Sequence, residues 1–170
     1  MFIKNNEKGY SLLAAIFAVT VFSILALAAR AHWETEIRRD LEEELIFRAG
    51  QYVQAIESYI KKNNNQYPQS LDILVEKRFM RKRFPDPMSE SGTWNIVMQS
   101  IQSGSKKLWV VPEEYVEKML NRARIIGVCS SSRSESYREY RKKKQYHEWA
   151  IYLGEKVEEE MPKIEFLYFK

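Results

Sequence analysis

Residues 10–29 carry no charge, and this stretch limits what the chain can fold into more than any other feature. At about 1.5 Å per residue a helix of this length spans about 30 Å, the thickness of a bilayer's hydrocarbon core. Ten of its residues are Leu, Ile, Val or Phe. Each favours insertion by roughly 0.3 to 0.6 kcal/mol at the helix centre, enough together to outweigh Ser11, Thr20 and Ser23. The pattern predicts one membrane crossing over residues 10–31, with a short polar segment, 1–9, ahead of it. Lys4 and Lys8 precede the apolar run, while Arg30, Arg38 and Arg39 follow it among Glu34, Glu36 and Asp40. Counted by Lys and Arg alone the two flanks are nearly even, so charge leaves the orientation open.

The chain has 170 residues. With the apolar run set aside, about 110 to 140 residues remain, room for one soluble core and no second domain. The net charge is +4, but acids and bases interleave along most of the length, which argues against nucleic acid as the main partner. The densest basic run, residues 138–144, reads as a solvated turn between two strands. The single cysteine, Cys129, has no partner for an internal disulfide, and beside His147 it reads as a small buried hydrophobe.

Beyond the apolar run, Ile37, Leu41, Leu45, Ala49, Tyr52, Val53, Ile56, Tyr59 and Ile60 recur every three or four residues, one apolar stripe on a helix. The spacing predicts an amphipathic continuation over 32–62, with Arg38, Arg39, Asp40, Glu42, Glu43, Glu44 and Arg48 on a solvated or subunit-facing side. Gly50 falls mid-helix as a kink or a close-packing point. Asn63-Asn64-Asn65 and Tyr67-Pro68 end the helix. Ser70 caps a short second helix over 71–77, and the prolines at 85 and 87 make residues 81–87 a loop. Strands are predicted over 94–98, 108–111, 124–129, 145–153 and, at a sheet edge, 164–169. Pro112 with Glu113 and Glu114 opens a helix reaching about residue 122. The whole reads as α+β: a long N-terminal helix packed on a small antiparallel sheet, with residues 63–170 forming the globular part.

The usual signatures of catalysis are missing from this pattern. His32 and His147 are far apart, and His147-Glu148 lacks the second His of a zinc-binding helix. The glycines form no phosphate cradle, and residues 130–132 lack a nucleophile-elbow pattern. Asp86, Glu90 and Glu135 are the only plausible calcium carboxylates, without a recognisable ligand spacing. Tyr140, Tyr146, Trp149 and Tyr152 read as core and sheet surface. No enzyme activity and no nucleic-acid partner are expected, and no cofactor beyond a calcium ion.

Three readings of the apolar run compete. Small-x-small triplets at Ala26-Leu27-Ala28 and Ala29-Arg30-Ala31 suit a secretory signal, although the run is longer than the usual 7 to 15 residues of such a signal. A plain membrane anchor is the second. The third comes from Lys8-Gly9-Tyr10-Ser11-Leu12-Leu13, a basic leader, a glycine and an aromatic residue directly before the helix. Here the chain resembles the type IV pilin and pseudopilin family. The resemblance implies a prepilin peptidase cut between Gly9 and Tyr10, methylation of the Tyr10 amine, and lateral filament packing through Leu12, Leu13, Ala14, Ile16 and Phe17. It also implies an inner-membrane assembly platform and other pilin-like subunits as partners, a cytoplasmic N-terminus and a periplasmic domain. Most members carry Glu at the fifth mature position, which here is Ala14, a departure shared with minor, tip-located subunits. A second likeness, Tyr67-Pro68-Gln69-Ser70-Leu71 followed by Phe84-Pro85-Asp86-Pro87 and Trp94, is similar to the linker of major type II secretion pseudopilins. Together the likeness covers roughly residues 8–98 and part of the final strands; residues 99–123 and 154–170 have no counterpart in it.

Overall fold

The computed structural model describes residues 7–102, 107–155, 162 and 164–167, so residues 1–6 and parts of the C-terminal region lie outside the description. The chain divides into two compact units, Met1–Arg38 and Arg39–Lys170. A helix, α1, runs Glu7–Lys62, as the two successive apolar patterns predict.

Within the first unit, residues Tyr10–Leu27 form an 18-residue window of mean hydropathy 2.3, with none of it buried against protein. Two of its hydroxyls bond back to the helix: Thr20 Oγ1 donates to the Phe17 carbonyl at 2.8 Å and Ser23 Oγ to the Val19 carbonyl at 2.7 Å. Both polar groups are thus satisfied by the helix's own backbone, the requirement for a helix side facing apolar surroundings.

The second unit is α+β. Besides the later part of α1 it contains α2, Asp72–Glu76, and α3, Val116–Met119. The strands are β1, Trp94–Ser100, β2, Leu108–Pro112, β3, Ala123–Ser130, β4, Glu135–Tyr140, β5, Lys143–Gln145, β6, Ile151–Tyr152, and β7, Ile164–Phe166. Five of them make one sheet in the order β6-β3-β1-β2-β7.

The sheet is mixed, not antiparallel throughout. β1 pairs antiparallel with β2 and β3, and β3 with β6, but β7 returns parallel to β2, with Leu108 opposite Ile164 and Val110 opposite Phe166. β7 thus lies at the edge of the sheet opposite β6, an arrangement that a run of tight hairpins would not give.

Alternation along β1 fails because both faces of the sheet are covered. One face places Ile96, Met98, Val111, Ile125 and Val128 in a core with Leu45, Ala49, Tyr52, Ile56, Tyr59 and Ile60 of α1, the predicted stripe. The other face gathers Val97, Leu108, Val110, Ile126, Cys129 and Ala150 beneath Tyr152, Ile164 and Phe166. A strand buried on both sides reads as a continuous apolar run. The Tyr52 and Trp94 rings meet edge to face at 5.8 Å, joining helix to sheet.

Four further expectations need correction. Residues 130–144 contain a second, two-stranded sheet of β4 and β5. Its turn is Arg141-Lys142, both at positive φ of 50° and 64°, the backbone of a two-residue type I′ hairpin built without the glycine or asparagine that usually announces one. Residues 145–153 hold a single 3-10 turn at Tyr146–Glu148 and only the two-residue β6. The helix after Pro112 is a 3-10 turn, Glu113–Tyr115, followed by the four-residue α3. Gly50 lies inside α1, but a Cβ added there would meet nothing within 4 Å, so it is not a close-packing point.

Candidate functional site

The residues singled out for membrane insertion and assembly lie on the first unit. Gly9 is already helical, and Tyr10 is 77% exposed. Leu12, Leu13, Ile16 and Phe17 are all exposed, as is Ala14. A helix apolar on every side has no stable state in water and needs lipid or other apolar helices around it. Among the described residues one helix is long and apolar enough to cross a membrane.

Among its described residues the second unit holds two buried carboxylates, each used to fasten a loop or hairpin. Glu42, counted by its spacing among the solvated side of α1, is 1% exposed. Its Oε1 accepts from the Tyr137 N–H at 2.6 Å and from the Tyr146 hydroxyl at 2.9 Å, while Oε2 accepts from the Arg138 N–H at 3.2 Å. The Arg138 Nε lies 3.9 Å away. One side chain of α1 thus holds both the β4 backbone and the 3-10 turn after β5. Its neighbour Glu43 takes the Arg138 guanidinium at 2.6 Å, and the Arg39 guanidinium stacks over Tyr137 at 5.4 Å.

Asp86, the second carboxylate, is 2% exposed. Oδ2 accepts from the Ser130 hydroxyl at 2.7 Å and the Ser131 N–H at 3.0 Å, and Oδ1 from the Met88 N–H at 2.9 Å. The adjoining loop is pinned to α1. The Tyr52 hydroxyl donates to the Phe84 carbonyl at 2.9 Å and accepts the Phe84 N–H at 3.0 Å, and Arg48 donates to the Pro85 carbonyl at 2.6 Å. Trp94 Nε1 donates to the same Phe84 carbonyl at 2.8 Å. Arg83, paired with Glu113 and Asp72, ties the loop to α2 and to the turn after β2.

Asp86 is therefore committed to loop backbone and serine hydroxyls, while Glu90 and Glu135 stand exposed at the surface. Among the described residues no group of three or more His, Cys, Asp or Glu side chains is placed to hold a metal ion.

The basic run 138–144 is largely neutralised by this chain's own acids. Arg138 pairs with Glu43, Arg141 with Glu155 at 2.8 Å, Lys143 with Glu148 at 3.0 Å and Lys144 with Glu139 at 3.2 Å. Burial, with the Glu155 carboxylate beside it, pushes the Tyr140 phenol well up. Cys129 is fully buried with its thiol driven far above the ordinary range by desolvation, which fits a packing role and leaves no thiolate for nucleophilic work. The His147 ring lies 5.1 Å from Phe166, and its Nδ1 is buried with no hydrogen-bond partner among the described residues. Burial holds its pKa below 6.5; Glu148 opposes that shift, and Arg133 and Lys143 add to it. The side chain of His32 lies outside the described residues.

Sequence reasoning missed Glu42, because helical spacing places it among charged neighbours and only the folded hairpin covers it. Fold and site together define a class: an α+β domain on a helix that carries a membrane-length apolar segment. Comparison with family models, curated proteins and solved structures returns no match that would narrow that class to a particular family.

Proposed function

We propose that this chain is a pilin-like structural subunit of a type II secretion pseudopilus or a type IV pilus-like filament. One observation carries the reading. The apolar segment Tyr10–Leu27 begins directly after Gly9, is unburied along its whole length, and belongs to a helix whose later turns form the core of a sheet domain. A segment of this kind is covered by lipid before assembly and by neighbouring helices afterwards, so filament formation draws on van der Waals packing between helices and not on removing apolar surface from water. Leu12, Leu13, Ile16 and Phe17 supply the lateral surface. Function is mechanical, with no catalytic residue. A prepilin peptidase and an inner-membrane platform act on the chain, and residues 63–170 stand in the periplasm.

Ala14 supports a tip or initiating position. In the pilin family a Glu there is thought to pair with the terminal amine of a neighbouring subunit; a carboxylate at that depth costs about 2.5 to 3.5 kcal/mol unless paired, so a subunit lacking it forgoes both the cost and that contact. The same residue also favours a second reading, a membrane-anchored periplasmic adaptor that does not polymerise.

The mass of the N-terminal peptide of the protein from its host separates these. A methylated N-terminus at Tyr10 supports the filament subunit. An intact Met1 supports the adaptor, and a start near Trp33 identifies a product of ordinary signal peptidase; either result overturns the subunit reading.

A further inference from the structure

A groove of about 310 Å³ lies between α1 and the segment after α2, lined by Ala55, Phe79, Met80 and Phe84 and edged by Gln51, Gln54, Ser58 and Arg81. The α1 edge extends by one turn, since Phe47, four residues before Gln51, is 63% exposed. Phe47, Gln51, Gln54 and Ser58 fall on one helical stripe about 16 Å long, the length of three turns of a helix laid alongside.

Three cations flank this groove: Arg81, which lines it, and two lysines stacked on its aromatic rings. Lys62 sits over the Phe79 ring at 5.8 Å and Lys82 over the Phe84 ring at 5.6 Å. Neither of them, nor Arg81, forms an ion pair among the described residues. The basic hairpin, by contrast, pairs Arg138, Arg141, Lys143 and Lys144 with this chain's own carboxylates. Three unneutralised cations beside an apolar floor, facing a rim of neutral amides and a hydroxyl, complement one kind of partner.

We propose that this groove docks an acidic amphipathic helix of another protein, its apolar side on Phe47, Ala55, Phe79 and Met80 and its carboxylates on Lys62, Arg81 and Lys82. Amphipathic helices are bound in grooves of this kind through anchors at i, i+3 or i+4, and i+7. Charges at the rim set which partner is accepted. The proposal does not depend on whether the chain polymerises.

The test uses the full chain, isotope-labelled, in nanodiscs of neutral phosphatidylcholine. The probes are a 15-residue helical peptide of Glu with Leu and Phe at helical spacing, and a twin with Lys at every Glu. The acidic peptide should move the amide signals of Ala55, Phe79 and Met80 and bind about tenfold more tightly than its twin. Gln54→Trp, an exposed position on the groove rim, should weaken it about tenfold with the helical circular dichroism unchanged, and Arg81→Glu with Lys82→Glu should reverse the preference between the peptides. Equal binding of the two peptides, or binding indifferent to Gln54→Trp, overturns the proposal. So do signals that move only when anionic lipid is added to the disc, which would assign the groove to a membrane surface, and signals that move with the chain's own concentration, which would assign it to a second copy.

Discussion

Removing the Glu42 carboxylate is expected to free the β4–β5 hairpin from α1. In Glu42→Ala the N–H groups of Tyr137 and Arg138 and the Tyr146 hydroxyl all lose their acceptor. Each buried polar group left unsatisfied costs about 1 to 3 kcal/mol, and breaking a buried charged network by removing one member typically costs about 3 to 5 kcal/mol. A loss of about 3 to 5 kcal/mol is therefore expected for the alanine variant. Glu42→Gln keeps an oxygen where Oε1 accepts from Tyr137 and Tyr146, but its amide presents donors to the Arg138 N–H, so about 1 to 2 kcal/mol is expected. Urea unfolding of the full chain in detergent micelles, followed by tryptophan fluorescence, measures the total. Trp149 reports on this region because its ring meets Tyr146 at 5.3 Å. Amide exchange at Tyr137 and Arg138 then shows whether the hairpin opens locally before the domain unfolds. An alanine variant within 1 kcal/mol of the natural chain, with those two amides still protected, would refute the reasoning.

Asp86→Asn replaces the Oδ2 acceptor with a donor facing the Ser131 N–H, so a loss of about 1 to 3 kcal/mol is expected in the same unfolding assay, with faster exchange at Ser131. Gly127→Ala puts a Cβ 2.1 Å from the Ile151 carbonyl oxygen and 2.5 Å from the Tyr152 Cα. Backbone must move, so the β3–β6 pairing is lost at a cost of about 3 kcal/mol, read as chemical-shift changes at Ile151 and Tyr152. His147 is held below 6.5 when folded, so the unfolded chain binds the proton first as pH falls. Its contribution is full above about pH 6.5 and is lost on acidification down through the depressed folded value. His147→Phe should flatten that part of the stability profile, and an unchanged slope between pH 7 and pH 5 would count against the assignment.

Much of the architecture was legible because it rests on local periodicity. The helix end at Lys62 follows from the run Asn63-Asn64-Asn65 and the following Pro68, and the stripe from Leu45 to Ile60 follows from 3.6-residue spacing. Positions of β1, β2 and β3 were readable from short apolar runs between breakers. The hairpin at 135–145 was not, because Arg141 and Lys142 adopt positive φ under tertiary constraint and neither residue type signals such a turn. Ser70 offers only a long 3.4 Å bond to the Ile73 N–H, a weak cap for a five-residue helix.

The sequence by itself determined that residues 10–27 form an apolar helix long enough to cross a membrane and that an amphipathic helix continues it, because uncharged length and apolar spacing are properties of neighbouring residues. Tertiary structure alone decided that β7 lies parallel to β2, that both faces of the sheet are covered, and that Glu42 is an anchor instead of a surface acid. The physical reason is distance along the chain: Glu42 meets Tyr137 and Tyr146 only once the sheet has closed on α1, and no local pattern records which acid among several will be the one covered.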